Sequence, residues 1–217
     1  MAKKLTRQAL LELAKAFCAN QSNAPHAELF GVTDGKAVGT HVEHLFQASV
    51  LEKFDIGAGS SAKGIDLPAI NTDIKVTSIK QPQSSCPFKS AREKVYGLGY
   101  DLLLFVYEKR DDEKKRVAKL NFVCCALIER SCTADYQTTR GLRGIMERDG
   151  NRDDVIAFLQ ERNLPADEVT LNQLADEIIQ KTPSQGYLTV SNALQWRLQY
   201  GRVVGLKSSV QGIERIL

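Results

Sequence analysis

Asp66, Asp73 and Lys75 crowd the stretch KGIDLPAINTDIKVTS, residues 63–78. Residues two apart on a strand share a face, so Asp73 and Lys75 point together while Ile74 and Val76 turn into a core. A bend over Pro68–Asn71 lets Asp66 and Asp73 meet across the fold of the chain. Carboxylates a few ångströms apart resist joint ionisation unless a cation lies between them. A hard divalent ion such as Mg²⁺ answers this, because it takes oxygen ligands and keeps several waters. The backbone carbonyl of Ile74 adds a further ligand, and Lys75 stands where it can hold or help deprotonate an attacking water. Metal-activated water attacking phosphorus is phosphodiester hydrolysis.

Other elements must hold that ribbon in place. Apolar positions at Leu5, Ala9, Leu10, Leu13, Ala16 and Phe17 predict a helix over 4–19, and GKAVGTHVEHLFQASVLEKF predicts a second from Gly35 to Phe54. A glycine/serine loop, DIGAGSSAKG, precedes two short strands folded around Pro68–Asn71. KSAREKVYGLGY reads as a short helix ending at its glycines. DLLLFVYEK is a strand apolar enough to be buried on both faces, and RVAKLNFVCCALI is its antiparallel partner across the turn RDDEKK. This order is that of an α/β core with a central mixed sheet flanked by helices, running over residues 1–148. The tail, 149–217, has another rhythm: helices at DDVIAFLQERN, TLNQLADEIIQK (capped by Thr170) and VSNALQWRLQYG, then short strands at RVVGLK and GIERIL.

The spacing Asp-x(6)-Asp-x-Lys resembles the signature of the PD-(D/E)XK nuclease superfamily, which includes most type II restriction endonucleases. Asp66 matches the first acid, Asp73 the second and Lys75 the lysine, whereas the proline departs from the pattern, since Pro68 follows the acid and Ile65 precedes it. In that superfamily an upstream helix often supplies a glutamate, and GKAVGTHVEHLF offers Glu43. The same segment resembles the Val-Gly-x-x-x-Glu helix of the MutH-type mismatch-repair nicking endonuclease. The likeness covers roughly residues 35–128 and implies a restriction-endonuclease-like fold. It further implies that Glu43, Asp66 and Asp73 gather Mg²⁺, that Lys75 orients the water, and that products carry a 5′-phosphate.

Further polar residues suit a nucleic-acid partner. Lys80 and Gln81, just after the charged strand, could meet phosphate and base edges. Lys89, Arg92 and Lys94 recur on a short helix as a phosphate-binding face. The tail resembles a winged helix-turn-helix module whose third helix presents Ser191, Asn192, Gln195 and Arg197, with Arg202 and Lys207 on the wing. His41 and His44 flank Glu43 but are read as structural, and His26 sits in a loop; none receives a role.

With 217 residues, 43% hydrophobic and 25% charged, the composition is globular. Net charge is only +3, from 29 Lys and Arg against 26 Asp and Glu, yet no acid occurs from Ile178 to Ile213. That stretch can offer a local positive surface to a polyanion. Five cysteines without metal-ligand spacing suit a reduced, cytoplasmic protein. The N-terminus reads as an amphipathic helix rather than a signal peptide, and no apolar run is long enough to span a membrane. The expected activity is a Mg²⁺-dependent, sequence-specific double-stranded DNA endonuclease of the type II restriction kind, a homodimer on a palindrome. A strand-nicking repair endonuclease, a structure-specific or RNA nuclease, and a winged-helix DNA-binding regulator without catalysis are the alternatives.

Overall fold

Leu102 to Val106 are completely buried because the strand that carries them is the middle of a sheet. A computed structural model describes residues 3–55, 65–85, 87–162, 164–190 and 197–217. In chain order the elements are β1 (Lys3–Lys4), α1 (Arg7–Asn23), β2 (Pro25–His26), α2 (Gly35–Lys53), β3 (Phe54–Asp55), β4 (Thr72–Ser78), β5 (Gln83–Ser85) and α3 (Ala91–Tyr96). There follow β6 (Asp101–Asp112), β7 (Val117–Ile128), α4 (Tyr136–Glu147), α5 (Arg152–Glu161), α6 (Glu168–Gln180), β8 (Thr189–Val190), β9 (Arg197–Gln199), α7 (Gly201–Val204) and β10 (Ile213–Arg215). They form two compact units: Met1–Ser84 with Asp101–Ile128 and Val204–Leu217, and Ser85–Tyr100 with Glu129–Val203.

The first unit is α/β. Its sheet runs β10-β7-β6-β4, with β2 also on β7. β4 and β6 are parallel, Asp73 opposite Leu102 and Lys75 opposite Leu104, while β6 and β7 are antiparallel, so the sheet is mixed as expected. Helix α1 starts where Thr6 accepts a hydrogen bond from the Ala9 N–H, and α2 where Asp34 accepts from the N–H groups of Lys36 and Ala37. α1 packs on β7 and α2 on β4. Phe17, Phe46, Phe105 and Phe122, one from each of α1, α2, β6 and β7, interlock with ring centroids 4.9–6.0 Å apart.

The second unit is built on α3, α4, α5 and α6, whose Ala91, Val95, Leu142, Ile145, Val155, Leu159, Leu174 and Ile178 share one core. The buried Asp135 caps α4 by accepting from the Thr138 N–H at 2.8 Å, and its other oxygen accepts from the Val190 N–H at 3.0 Å. α3 stops at Gly97, whose φ of 85° a side chain resists and whose Cβ would meet the Arg130 carbonyl oxygen at 2.5 Å.

Several expectations need correction. Thr189–Val190 and Arg197–Gln199 are an antiparallel strand pair rather than the two ends of a third helix, so the described residues do not carry the helix that a winged helix-turn-helix needs. Leu198 and Tyr200 are buried and Gln199 is exposed, a period of two in a run that was read at 3.6. RVVGLK opens as the short helix α7, not as a strand. Asp167, not Thr170, caps α6, by accepting from the Thr170 N–H. Helix α4 was not anticipated. The ribbon ahead of β4 is a single bridge, Leu67 to Thr72, around a 3₁₀ turn at Pro68–Ile70 rather than a full strand. Among the described residues no helix is long and apolar enough to cross a membrane.

Candidate active site

Helix α2 packs on β4 through Gly39, where a Cβ would just touch the Val76 carbonyl oxygen at 3.4 Å and a longer side chain would not fit without a shift. One and two helical turns further on, the same face carries Glu43 and Gln47. Opposite them, the turn through Asn71, in the left-handed conformation at φ 51°, brings the chain before β4 back alongside it. Asp66 is thereby fixed on both oxygens: Oδ2 accepts from the Ile74 N–H at 2.7 Å and Oδ1 from Gln47 Nε2 at 3.2 Å.

β4 is the outermost strand of its sheet among the described residues, with β6 on one side. The N–H and C=O of a strand residue point to the same side, so the Ile74 carbonyl faces the edge where its N–H meets Asp66. Asp73 is buried and Lys75 half-buried, and Lys75 Nζ lies 2.6 Å from Asp73 Oδ2. Asp66 also neighbours Asp73 and Glu43 closely enough to influence the ionisation of both. Burial pushes the Asp73 carboxyl up to about 6; Lys75 pulls it back, and neighbouring Asp66 adds to the rise. Burial likewise raises Glu43 above the ordinary carboxylate value, with Lys75 opposing and Asp73 reinforcing.

Glu43, Asp66, Asp73 and Lys75 thus come together in one place. Three neighbouring carboxyl groups favour a shared proton or a cation near them, since one lysine cannot neutralise all three. With the Ile74 carbonyl they make an all-oxygen donor set of the kind hard divalent cations take. Gln47 was missed in the sequence, because an amide one turn beyond Glu43 carries no signal that sets it apart from other polar helix positions.

The candidate DNA contacts are scattered by comparison. Lys80 and Gln81 are exposed in the turn that leaves β4, a turn tied down by Thr77 Oγ1, which accepts from the Gln83 N–H at 3.1 Å. Lys89 is exposed ahead of α3. Arg92 is held by Glu177, Nε to Oε2 at 2.8 Å, and lies over the Tyr96 ring. Lys94 is 3% exposed, which removes it from any solvated phosphate-binding face. Ser191, Asn192 and Gln195 lie outside the described residues. Arg197 is half-buried on β9. Arg202 is on α7 with its guanidinium 3.8 Å from the Tyr136 ring centroid, and Lys207 is exposed between α7 and β10, so neither rides on a wing.

Comparison with known proteins gives this chain its family. No solved structure matches the chain. The model of the family described as "Type II restriction enzyme NspV" matches residues 4–215. The type II restriction enzyme NspV of Nostoc sp. (strain ATCC 29411 / PCC 7524) is 53% identical over 209 residues, which span 96% of this chain and 95% of that enzyme. With a family model and a relative that both cover almost the whole chain, this protein belongs to the NspV family of type II restriction enzymes.

Proposed function

We propose that this restriction enzyme cleaves double-stranded DNA at a specific sequence by Mg²⁺-dependent phosphodiester hydrolysis, with the PD-(D/E)XK constellation Glu43, Asp66, Asp73 and Lys75 as its catalytic centre. The observation that carries the reading is the convergence of three carboxyl groups and one ammonium at the open edge of β4. Asp66, Asp73 and the Ile74 carbonyl would hold the cation, with Glu43 as a further oxygen donor. When bound, Mg²⁺ supplies Lewis-acid activation of the attacking water and neutralises charge that builds on the scissile phosphate. Lys75 Nζ, anchored by Asp73, orients that water and faces the phosphate oxygens as a fixed cation. Gln47 keeps Asp66 aimed by donating to its Oδ1. Hydrolysis on this pattern leaves a 5′-phosphate.

Lys80 and Gln81 leave the catalytic strand directly and lie against the cleaved backbone. Lys89, Arg197, Arg202 and Lys207, with Ser191, Asn192 and Gln195, are the further candidate DNA contacts. Arg92 reaches DNA only by giving up Glu177. The enzyme works in the cytoplasm as a homodimer on a palindromic site.

Phage DNA incubated with the purified protein should give discrete bands with Mg²⁺ and stay intact with EDTA. Asp73→Ala and Lys75→Ala should each slow cleavage by about 10²-fold or more, the usual worth of a positioned acid–base or charge-stabilising group. Parental rates in either variant would remove the assignment. Nicked circles in place of fragments would favour a strand-nicking activity.

A further inference from the structure

A second group of potential ligands lies in the first unit, away from the β4 edge. His26 ends β2, Glu28 lies in the 3₁₀ turn Ala27–Leu29, and His41 is on α2. One donor atom from each lies within 4.8 Å of the other two. The imidazole rings of His26 and His41 meet edge to face, with centroids 5.6 Å apart. Glu28 Oε1 is 3.1 Å from His41 Nε2, yet off the direction of a ring N–H, so this buried nitrogen makes no hydrogen bond.

That combination is unusual for a structural ion pair. A histidine paired with a carboxylate aims an N–H at it, and a buried polar atom left without a partner is costly. Ligands of a metal behave otherwise, because their lone pairs converge on a point between them. Donors about 2.1 Å from a tetrahedral centre lie about 3.4 Å from one another, close to the His41–Glu28 separation. His26 also has the supporting contact that ligating histidines usually make: its Nε2 lies 3.4 Å from the Gln21 carbonyl oxygen, so a proton on Nε2 leaves the lone pair on Nδ1. His26 is 3% exposed, whereas the Glu28 side chain is 56% exposed, which leaves a way in for the ion and a water.

We propose that His26, Glu28 and His41 form a separate site for a borderline divalent cation of the zinc class, two imidazoles and one carboxylate with water as the fourth ligand. It differs in chemistry from the oxygen-only site at β4, since imidazole suits zinc-like ions and Mg²⁺ favours oxygen. Bound there, the ion fastens the Pro25–Leu29 segment to α2, the helix that also carries Glu43.

The test uses the full-length protein, stripped with EDTA and dialysed into excess Mg²⁺ to occupy the carboxylate site. Zn²⁺ titrated into it should bind at one equivalent and raise the melting temperature. Asp73→Asn should retain both effects. Glu28→Gln and His41→Ala should each weaken Zn²⁺ binding by at least about 10-fold, the loss that even an outer-shell partner causes. Because a substitution can disturb folding, Co²⁺ added to the unaltered protein gives an independent reading: intense tetrahedral bands in the visible are expected. A weak octahedral spectrum, no Zn²⁺ binding beside Mg²⁺, or Zn²⁺ binding lost with Asp73→Asn and kept in both other variants would overturn the proposal.

Discussion

Asp73 holds its proton more tightly in the fold than an ordinary aspartate, up to about 6, because it is buried beside Asp66 and only Lys75 compensates. A carboxyl of that kind favours the folded state at low pH, and the preference is lost as pH rises from about 4 through about 6. Above that window the metal-free protein bears the whole cost of the buried charge, about 3 kcal/mol. Asp73→Asn in EDTA should therefore melt several degrees above the parent at pH 7.5, and the gap should close toward pH 4. Mg²⁺ offsets the same charge, so it should stabilise the parent more at pH 7.5 than at pH 5 and scarcely affect Asp73→Asn. Equal melting temperatures for parent and variant across this range, read by calorimetry, would count against the buried charge. At this scale the sequence was informative where chemistry forces spacing. Asp66, Asp73 and Lys75 could be read because a strand repeats every second residue and a bend returns the chain. Gln47 could not, since an amide one turn beyond Glu43 looks like any polar helix position. Lys94 misled for the opposite reason: its place in a basic run suggested exposure, and only the fold shows it buried.

The element that sets the site's precision is α2. Glu43 and Gln47 reach Asp66 and Asp73 from a helix that packs on β4 at Gly39, where there is room for little beyond a Cβ. Gly39→Leu should force the helix outward, costing about 1–3 kcal/mol as overpacked cores do. It should also lower cleavage far more than DNA binding, since it moves two site residues without touching a surface contact. Melting temperature, cleavage rate and filter binding on the same variant check this; loss of binding in step with cleavage would point to global damage instead. Among the elements, α1, α2, β6 and β7 were legible because long apolar patterns leave one period that fits. Helix α4 was not: Thr138 and Thr139 take buried positions that an apolar residue would ordinarily mark, and Gly141 and Gly144 weaken the helical signal. The strands at 189–190 and 197–199 were hidden because two or three residues are too few to display a period.

At the scale of the whole molecule, a duplex has two antiparallel strands, and each scissile phosphate must meet a catalytic centre. The described residues of one chain carry one cluster of three carboxyl groups with a lysine, so two chains related by a twofold axis match a palindrome with one cluster per strand. Net charge of +3 gives little general attraction to DNA, so tight binding must come from local contacts. Subunit mixing separates the cutting of the two strands. Parent enzyme in excess should convert supercoiled plasmid to linear form with little nicked circle. Heterodimers of parent and Asp73→Ala subunits, purified through two different tags, should nick one strand and stop, because the intact subunit reaches only its own phosphate. If such heterodimers linearise plasmid at the parental rate, one centre serves both strands in turn, and the twofold arrangement is wrong.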